Sequence, residues 1–375
     1  MTARPRRVLF VGGTDLDLPL SPGLAKKWDA VSEVLDVLVI GRARSVRVAD
    51  ARFRTVPQAP PPFRGVSYYA ALPAVVGRQL RRFAAEVVVT QSPYEAFALL
   101  PVLKAAPRRP KLLVELHGDW RTAARLYGSR LRKVYAGASD RAAVFALRQA
   151  DGTRAVSEFT ASLATKATGC KPLAVFPTYF DLESFTSAPP QPLPERPAVA
   201  WVGVLQRYKN PRVLAEAWRL AAPKLDGAQL VMVGEGPLQP VVDELVRDFP
   251  NTVRRVSRLS PSNVARLLDD STLLALSSES EGLPRVIMEA FTRGRAVVST
   301  AVGGIPDIVK TGENGLLVEP GDPGQLARAL VRVLNDRELA ERLGRRALAD
   351  AGQLRATPGR YAEALRDVVE RVLQG

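Results

Sequence analysis

The segment that most constrains the fold lies between residues 272 and 322, where a buried apolar run passes into a helical pattern. Residues 272–276 are uniformly apolar after the first threonine, which is typical of a parallel strand covered on both faces. Pro284 suits the first turn of the following helix, because its missing N–H would be unpaired there anyway. A strand that leads directly into a helix predicts an open parallel sheet with ligand-binding loops at its carboxyl edge.

Two glutamates, Glu281 and Glu289, lie on either side of this strand-to-helix junction. Glu281 is expected in the turn above the strand, and Glu289 about one and a half turns into the helix. The N-terminus of a helix offers unpaired N–H groups and a partial positive charge, which favour phosphate. Carboxylates on both sides of such a phosphate site can bind hydroxyl groups at the two ends of a sugar nucleotide.

The sequence around these glutamates resembles the signature of the retaining glycosyltransferases of family GT4, which have the GT-B fold. The shared blocks are E-G-L-P at 281–284, then G-R-A-V-V-S-T, V-G-G-I-P-D and N-G-L-L-V within 294–318. The resemblance implies that Glu281 contacts the transferred sugar and that Glu289 holds the ribose of a UDP-sugar or GDP-sugar donor. It also implies that no bound metal or other cofactor is needed. The further donor-site residues that it implies in this block are Gly282, Leu283 and Pro284.

A second segment that resembles the family follows the apolar run at 198–204. Family members carry an arginine directly after the position of Gly203 and a lysine six residues after it, and both bind the donor diphosphate. Lys209 matches the lysine, whereas Val204 occupies the position of the arginine. Arg207 lies in the same loop and is the candidate replacement, although an ordinary solvated loop explains Arg207 and Lys209 equally well on spacing alone.

The chain has a single histidine, His117, in the sequence L-H-G-D at the end of a predicted strand. The carboxyl end of a strand in a doubly wound sheet is where ligands bind, although a lone histidine is more often structural. The resemblance implies that His117 approaches the donor sugar near its reacting carbon.

Other candidate donor-site positions are glycines that follow predicted strands. Gly12 and Gly13 are predicted to form a turn after a strand at 7–11, and Gly234 begins a G-E-G-P turn. Neither segment matches the G-x-G-x-x-G dinucleotide fingerprint. The resemblance adds Arg258 as a contact to the nucleotide base.

Strands and helices alternate through both halves of the chain, which predicts an α/β protein with two doubly wound parallel sheets. We expect two Rossmann-like domains that face each other across a cleft, as in the GT-B fold. The predicted boundaries are an acceptor-binding domain at 1–186, a proline-rich linker at 187–197 and a nucleotide-sugar-binding domain at 198–357. The resemblance implies that the last helix, at 358–374, returns to cap the first domain.

The net charge of +15 is concentrated in one half of the chain. Residues 1–190 hold 28 Lys and Arg against 15 Asp and Glu, a balance of +13, which leaves +2 for the rest. We therefore expect an acceptor that is anionic, or lipid-linked and presented at an anionic membrane surface, unless this is simply a solvated arginine-rich surface. The basic residues concerned are Arg78, Arg81, Arg82, Arg121, Arg125, Arg130, Arg132 and Lys133.

Composition bounds the compartment and the cofactor chemistry. One cysteine permits no internal disulfide, which fits a reducing compartment, and no apolar run is long enough to span a bilayer, so we expect a cytoplasmic protein. The basic first half extends this expectation to the inner face of the cell membrane, with a solvated arginine-rich surface as the alternative. One histidine and one cysteine also make no metal-binding cluster.

The function predicted from the sequence is sugar transfer from a nucleoside diphosphate sugar to a hydroxyl acceptor in cell-envelope, polysaccharide or glycolipid synthesis. A nucleotide-sugar epimerase of the same fold is one alternative, but it would need additional acid and base groups. A basic nucleic-acid-binding protein is the other, although no nucleic-acid-binding signature stands out.

Overall fold

The computed structural model describes residues 4–59, 64–122 and 136–375, apart from the side chains of residues 43, 44 and 64. The chain divides into two compact units. Unit 1 comprises Met1–Phe180 with Ala356–Gly375, and unit 2 comprises Asp181–Arg355. Four of the predicted basic residues, Arg125, Arg130, Arg132 and Lys133, lie outside the described residues.

The part of unit 1 that is described contains a parallel seven-stranded sheet in the order β3-β2-β1-β4-β5-β6-β7. Its strands are β1 Arg7–Leu18, β2 Asp36–Val46, β3 Phe53–Val56, β4 Val87–Thr90, β5 Lys111–Leu116, β6 Gly152–Ala155 and β7 Ala174–Val175. Its helices are α1 Pro22–Val34, α2 Arg64–Phe83, α3 Pro93–Lys104, α4 Ala136–Gln149, α5 Glu158–Thr168 and, after unit 2, α14 Pro358–Gln374.

Apolar side chains cover both faces of this sheet, as the uniformly buried strands require. Helices α1 and α14 supply one face, with Trp28 and Tyr361 among the buried residues. Helices α2 to α5 cover the other face, where Tyr68 and Leu99 are buried.

The glycine turn predicted after residue 11 is wrong. Strand β1 continues through Gly12 and Gly13 to Leu18, and it stays paired with β2 after an irregularity in the register between Val11 and Asp15. The physical reason is that Asp15 pairs with Arg42 of β2 in the resumed register, so the neighbouring strand holds the glycines extended.

Unit 2 has a parallel six-stranded sheet in the order β10-β9-β8-β11-β12-β13, the order of a Rossmann-type fold. Its strands are β8 Ala198–Val202, β9 Gln229–Val233, β10 Val253–Val256, β11 Leu273–Leu276, β12 Ala296–Thr300 and β13 Gly315–Val318. Its α-helices are α6 Glu183–Thr186, α7 Pro211–Ala221, α8 Gln239–Asp248, α9 Pro261–Asp269, α10 Arg285–Thr292, α11 Ile305–Ile308, α12 Pro323–Leu334 and α13 Arg337–Leu354. A short 3-10 helix, Arg207–Lys209, follows β8.

The predicted linker at 187–197 is part of unit 2, and the division lies at residues 180/181 instead. Two buried arginines hold this segment to the body of the unit. Arg293 donates to the carbonyl oxygens of Phe185, Ala188 and Pro189 at 2.7–3.0 Å. Arg295 donates to those of Gln191 and Pro192 at 2.8 and 3.2 Å. Because the backbone carbonyls are bonded in this way, the prolines form a fixed strap and not a free linker.

Candidate active site

The candidate site of unit 2 is built at the carboxyl edge of its sheet, where the loops after β8, β9, β11 and β12 lie side by side because the strands are parallel. Lys209 ends the 3-10 helix after β8, and Glu281 lies in the loop between β11 and α10. Lys209 Nζ and Glu281 Oε1 are 2.6 Å apart, and both side chains are largely buried. Two residues predicted from separate segments are thus brought together as an ion pair.

Glu281 has a second partner in its own loop. Ser278 Oγ donates to the same oxygen, Glu281 Oε1, at 2.6 Å. Ser277 Oγ donates to the carbonyls of Lys209 and Asn210 at 3.0 and 2.9 Å, which ties the two loops to each other. The position of the Glu281 carboxylate is therefore fixed by two loops and not by its own rotamer alone.

The V-G-G-I block after β12 supports this loop through backbone packing. Gly303 has φ +60°, and a Cβ at this position would overlap the carbonyl oxygen of Glu281. Gly304 N–H donates to the carbonyl oxygen of Gly282 at 2.8 Å. Glycine is required at residue 303 because the backbone has a positive φ and because no Cβ fits beside Glu281. The V-G-G-I block therefore supports the Glu281 loop.

Helix α10 begins at Arg285, and Pro284 is its N-cap residue instead of a residue of the first turn. No side chain caps the first turn, where the N–H of Ile287 already donates to the carbonyl of Pro284 at 3.2 Å, so the N–H groups of Arg285 and Val286 are the ones that can meet an anion. The loop residues Gly282 and Leu283 lead into this N-terminus. The N-terminus of α10 thus follows the loop that carries Glu281.

Glu289 lies one turn into α10 and is buried. Its Oε1 accepts from Arg285 Nε at 2.6 Å, an i,i+4 pair in which the arginine side chain is 44% exposed. Burial raises the pKa of Glu289, and the charge of Arg285 opposes that rise. Arg285 also donates to the carbonyl of Asp181 at 3.1 Å.

The remaining predicted residues of unit 2 differ in how closely they are packed against the rest of the unit. Gly203 and Gly234 pack backbone against backbone, since a Cβ at residue 234 would overlap the carbonyl of Gly203. Arg207 and Val204 are exposed on the loop that carries Lys209. Arg258 is 80% exposed and its nearest carboxylate, on Glu235, is 3.9 Å away. Arg258 is therefore the least constrained of the predicted contacts.

In unit 1, His117 follows β5 at the carboxyl edge of the sheet, as predicted. Its Nε2 is 3.3 Å from Oε2 of Glu115, and its Nδ1 is 3.3 Å from Thr178 Oγ1. Glu115 is buried and also accepts from Arg154 Nη1 at 2.9 Å. Although burial alone would raise it, Arg154 and His117 lower the pKa of Glu115 to about 2.

The glycines of β1 lie against a second buried carboxyl group. Burial raises the pKa of Glu95, which is opposed by hydrogen bonds from Ser92 Oγ and from the backbone of Gly13. A Cβ at Gly12 would overlap the side chain of Gln91. Gly12 and Gly13 are thus packed against the end of β4 and the start of α3, within unit 1 itself.

Sequence reasoning missed the partners of the predicted residues. Arg285 lies four residues before Glu289 on a helix, and such a pair is a known signal for contact. Glu115 lies two residues before His117 where β5 ends, and side chains two positions apart in extended chain point to the same face. These two spacings are the sequence signals from which the partners could have been predicted.

No group of three or more His, Cys, Asp and Glu side chains in the described ranges is arranged to hold a metal ion. Among the same residues, no helix has the length and apolar character needed to cross a membrane.

Two family models match consecutive parts of the chain. The model of Glycosyltransferase Family 4 matches residues 31–184, and the model of Glycosyl transferases group 1 matches residues 185–350. N-acetyl-alpha-D-glucosaminyl L-malate synthase of Bacillus anthracis is 33% identical over 142 residues, which cover 38% of this chain and 37% of that protein. The matches to the first four curated relatives span only 30% to 41% of those proteins.

Solved structures match over almost the whole chain. Sucrose-phosphate synthase from Thermosynechococcus elongatus aligns with 98% of this chain and 99% of its own, with a TM-score of 0.79 and 17% identity. HepE of Anabaena in complex with UDP aligns with 97% of this chain and 100% of its own, with a TM-score of 0.70 and 17% identity. At these identities the likeness shows the fold, which is of the GT-B type. The epimerase and nucleic-acid-binding alternatives gain no support from any of these matches.

Proposed function

The chain belongs to the GT4-type glycosyltransferases of the GT-B fold, and we propose that it transfers a hexose or amino-hexose from a nucleoside diphosphate sugar to a hydroxyl acceptor with retention of configuration. The observation that carries this proposal is the Lys209–Glu281 ion pair beside the uncapped N-terminus of α10. A cation, a carboxylate and free N–H groups at one sheet edge are suited to a diphosphate that carries hydroxylated sugars on both ends.

We propose that the donor binds along the edge of the unit 2 sheet. Lys209 and the first N–H groups of α10 bind the diphosphate, Glu289 accepts hydrogen bonds from the ribose hydroxyls, and Glu281 does the same for the transferred sugar. Val204 occupies the position of the family arginine, and the exposed side chain of Arg207 supplies the second cation in its place. When the donor binds, its diphosphate and hydroxyl groups take over some of the contacts that Lys209 and Glu281, and Arg285 and Glu289, make with each other in the free protein.

The proposed transfer occurs on one face of the sugar. The acceptor oxygen bonds to the anomeric carbon on the side from which the diphosphate leaves, and the acceptor proton passes to the departing phosphate oxygen. No enzyme carboxylate is required as a nucleophile in this scheme. The enzyme contributes position and charge, and each hydrogen bond to a charged group contributes about 1.5–3 kcal/mol. Lys209 and the N–H groups of α10 then stabilise the leaving group without a metal ion.

The proposed acceptor is anionic or is presented at an anionic membrane surface, on the cytoplasmic side. Arg78, Arg81 and Arg82 are exposed on α2, and that helix carries no acidic residue. Two exposed phenylalanines, Phe97 on α3 and Phe145 on α4, contact each other edge to face with centroids 6.4 Å apart. Basic and aromatic side chains on neighbouring helices are favourable at a lipid interface. The name of the Bacillus relative includes L-malate, which is also an anion.

Product analysis tests the reaction. The donor is identified first with a thermal-shift panel of UDP-sugars and GDP-sugars, and the anomeric configuration of the product is then read by proton NMR. We expect the donor configuration in the product and unchanged activity in EDTA. An inverted product, or activity that is lost in EDTA and restored by magnesium, contradicts the mechanism.

Vesicle sedimentation tests the acceptor surface. We expect binding to vesicles with anionic lipid at low salt, and weaker binding when Arg78, Arg81 and Arg82 are all changed to Gln. The matched control changes three exposed arginines of unit 2 to Gln and retains binding. Its members are Arg328, Arg332 and Arg345. Equal sedimentation of all three proteins would refute a contact through these α2 arginines, and negligible sedimentation of all three would refute the membrane contact itself.

A further inference from the structure

The His117 side chain belongs to a closed circuit of polar contacts in unit 1, and the family resemblance gives a role to only one member of it, His117. Glu115 Oε2 lies 3.3 Å from His117 Nε2, and His117 Nδ1 lies 3.3 Å from Thr178 Oγ1. Arg154 closes the circuit, because it donates to Glu115 Oε1 at 2.9 Å and to the carbonyls of Phe176 and Pro177 at 2.7 and 3.1 Å. The segment that carries Thr178 is therefore fixed by the same arginine that fixes Glu115.

The circuit is buried on its inner side and partly exposed on its outer side. Arg154 is fully buried and its guanidinium lies 3.9 Å from the ring centroid of Phe176 and 5.7 Å from that of Tyr361. Glu115 is also buried, whereas the His117 side chain is 37% exposed. Glu115 thus connects a core cation to a ring at the surface.

The donor and acceptor roles along this circuit follow from the charge of Glu115. An ionised carboxylate only accepts, so the proton between Glu115 and His117 belongs to Nε2. A neutral ring with a proton on Nε2 has a lone pair on Nδ1, and the Thr178 hydroxyl donates to it. The charge of Lys27 also acts on Glu115 and lowers its pKa, and a lysine ammonium is likewise a donor only.

We propose that Glu115 is the positioning residue of His117. Its carboxylate holds the proton on Nε2, and the Nδ1 lone pair is left to accept a hydroxyl group. Thr178 supplies that hydroxyl in this structure, and a hydroxyl of the transferred sugar replaces it during turnover. The sugar contact rests on the proposed function together with the role that the family resemblance implies for His117, whereas the placement of the proton does not.

Because His117 is the sole histidine, its ring nitrogens are observed without overlap in the 15N-labelled full chain. Long-range proton–nitrogen correlation spectra, recorded at a pH where the ring is neutral, distinguish the two tautomers. We expect a protonated Nε2 and a bare Nδ1, and a loss of this preference in Glu115→Gln. A proton on Nδ1, or an unchanged spectrum in Glu115→Gln, would overturn the proposal.

A control and a second variant separate positioning from mere stability. Glu86→Gln removes the ion pair with Arg6 at the opposite, amino edge of the same sheet, and is expected to leave the His117 spectrum unchanged. If Glu115→Gln fails to fold with Arg154 unpaired, the double variant Glu115→Met with Arg154→Met removes both charges, a replacement that proteins often tolerate. The tautomer preference must then be lost in that variant for the proposal to stand.

Kinetics test the second half of the proposal. Glu115→Gln is expected to lower turnover roughly 10- to 100-fold, the cost of a misplaced contact group. In a His117→Ala background the same change is expected to have no further effect, because Glu115 acts only through His117. Losses that multiply would overturn positioning. A fully active His117→Ala would overturn the sugar contact and leave the tautomer result to decide the role of Glu115.

Discussion

Glu115 in unit 1 and Glu289 in unit 2 are both buried, yet their environments shift their acidity in opposite directions. Arg154 and His117 outweigh burial and lower the pKa of Glu115 to about 2. Burial outweighs Arg285 and raises the pKa of Glu289. The difference lies in the partners: Arg154 is fully buried beside Glu115, whereas the Arg285 side chain is 44% exposed to solvent.

This contrast indicates two uses of a carboxylate at the edge of a parallel sheet. Both oxygens of Glu115 have partners within unit 1, Arg154 at Oε1 and His117 at Oε2, so its charge is balanced by groups of the protein itself. The carboxylate of Glu289 is paired through Oε1 with the partly exposed side chain of Arg285. Its remaining lone pairs can accept hydrogen bonds from hydroxyl groups of a ligand. Buried carboxylates with raised pKa values are concentrated at functional sites, and Glu289 fits that pattern.

The largest effect is expected at the cation that faces the leaving group. Lys209→Met should lower turnover roughly 10²- to 10³-fold, as the loss of one preorganised charge-stabilising donor does in other enzymes. The measurement is kcat with the donor identified by thermal shift, and Lys310→Met, a surface lysine bonded to the carbonyl of Pro306, is the matched control. Equal activity of both variants would remove Lys209 from the mechanism.

The next effect tests Glu289 as a ligand group. Glu289→Gln should weaken nucleoside diphosphate binding roughly 10- to 100-fold, because hydrogen bonds to a charged acceptor are replaced by neutral ones. Isothermal titration with the nucleoside diphosphate measures it, and inorganic pyrophosphate, which has no ribose, should bind the variant and the parent alike. The ribose assignment is wrong if both ligands lose the same affinity.

Much of the fold follows from local sequence, because short apolar runs in a parallel sheet are bounded by polar turns. The apolar run at 272–276 contains β11, and the run at 198–204 begins with β8. The continuation of β1 beyond Gly12 does not follow from local sequence, since pairing with β2 decides it. The same holds for the strap at 187–197, which looks like a linker until Arg293 and Arg295 bind its carbonyls.

The candidate site shows the same division between local and distant information. The motif blocks located Lys209 and Glu281 separately, but their ion pair spans 72 positions and is created by the fold. Arg154 could not have been found from its neighbours in sequence, because its function as the partner of Glu115 depends on β5 and β6 being adjacent strands. Motif spacing therefore identifies the residues that face a ligand better than the residues that support them.

A smaller effect is expected from Arg285. Arg285→Gln removes the charge that opposes burial, so the pKa of Glu289 should rise further. As the pH is lowered, the Glu289 carboxylate of the variant should be protonated earlier than that of the parent. Donor binding should therefore weaken at a higher pH in the variant than in the parent. The measurement is nucleoside diphosphate affinity against pH, and Arg346→Gln, which removes an exposed i,i+4 pair with Asp350 on α13, is the control. Identical pH profiles for parent and Arg285→Gln would refute the coupling.

The smallest effect concerns stability, where the two glutamates should differ in sign. Glu115 binds fewer protons folded than unfolded, so its contribution is present above the unfolded pKa and is lost as the pH falls towards about 2. Glu289, with a raised pKa, binds more protons folded, so its ionised form costs stability as the pH rises through that pKa. Glu289→Gln should therefore raise the free energy of unfolding of the ligand-free protein at neutral pH, by about 1 kcal/mol if it behaves as a typical single stabilising substitution. Thermal unfolding from acid to neutral pH measures this, and the gain should vanish at acid pH, where Glu289 is protonated. A variant less stable than the parent at neutral pH would show that the charge of Glu289 serves the fold, as that of Glu115 does.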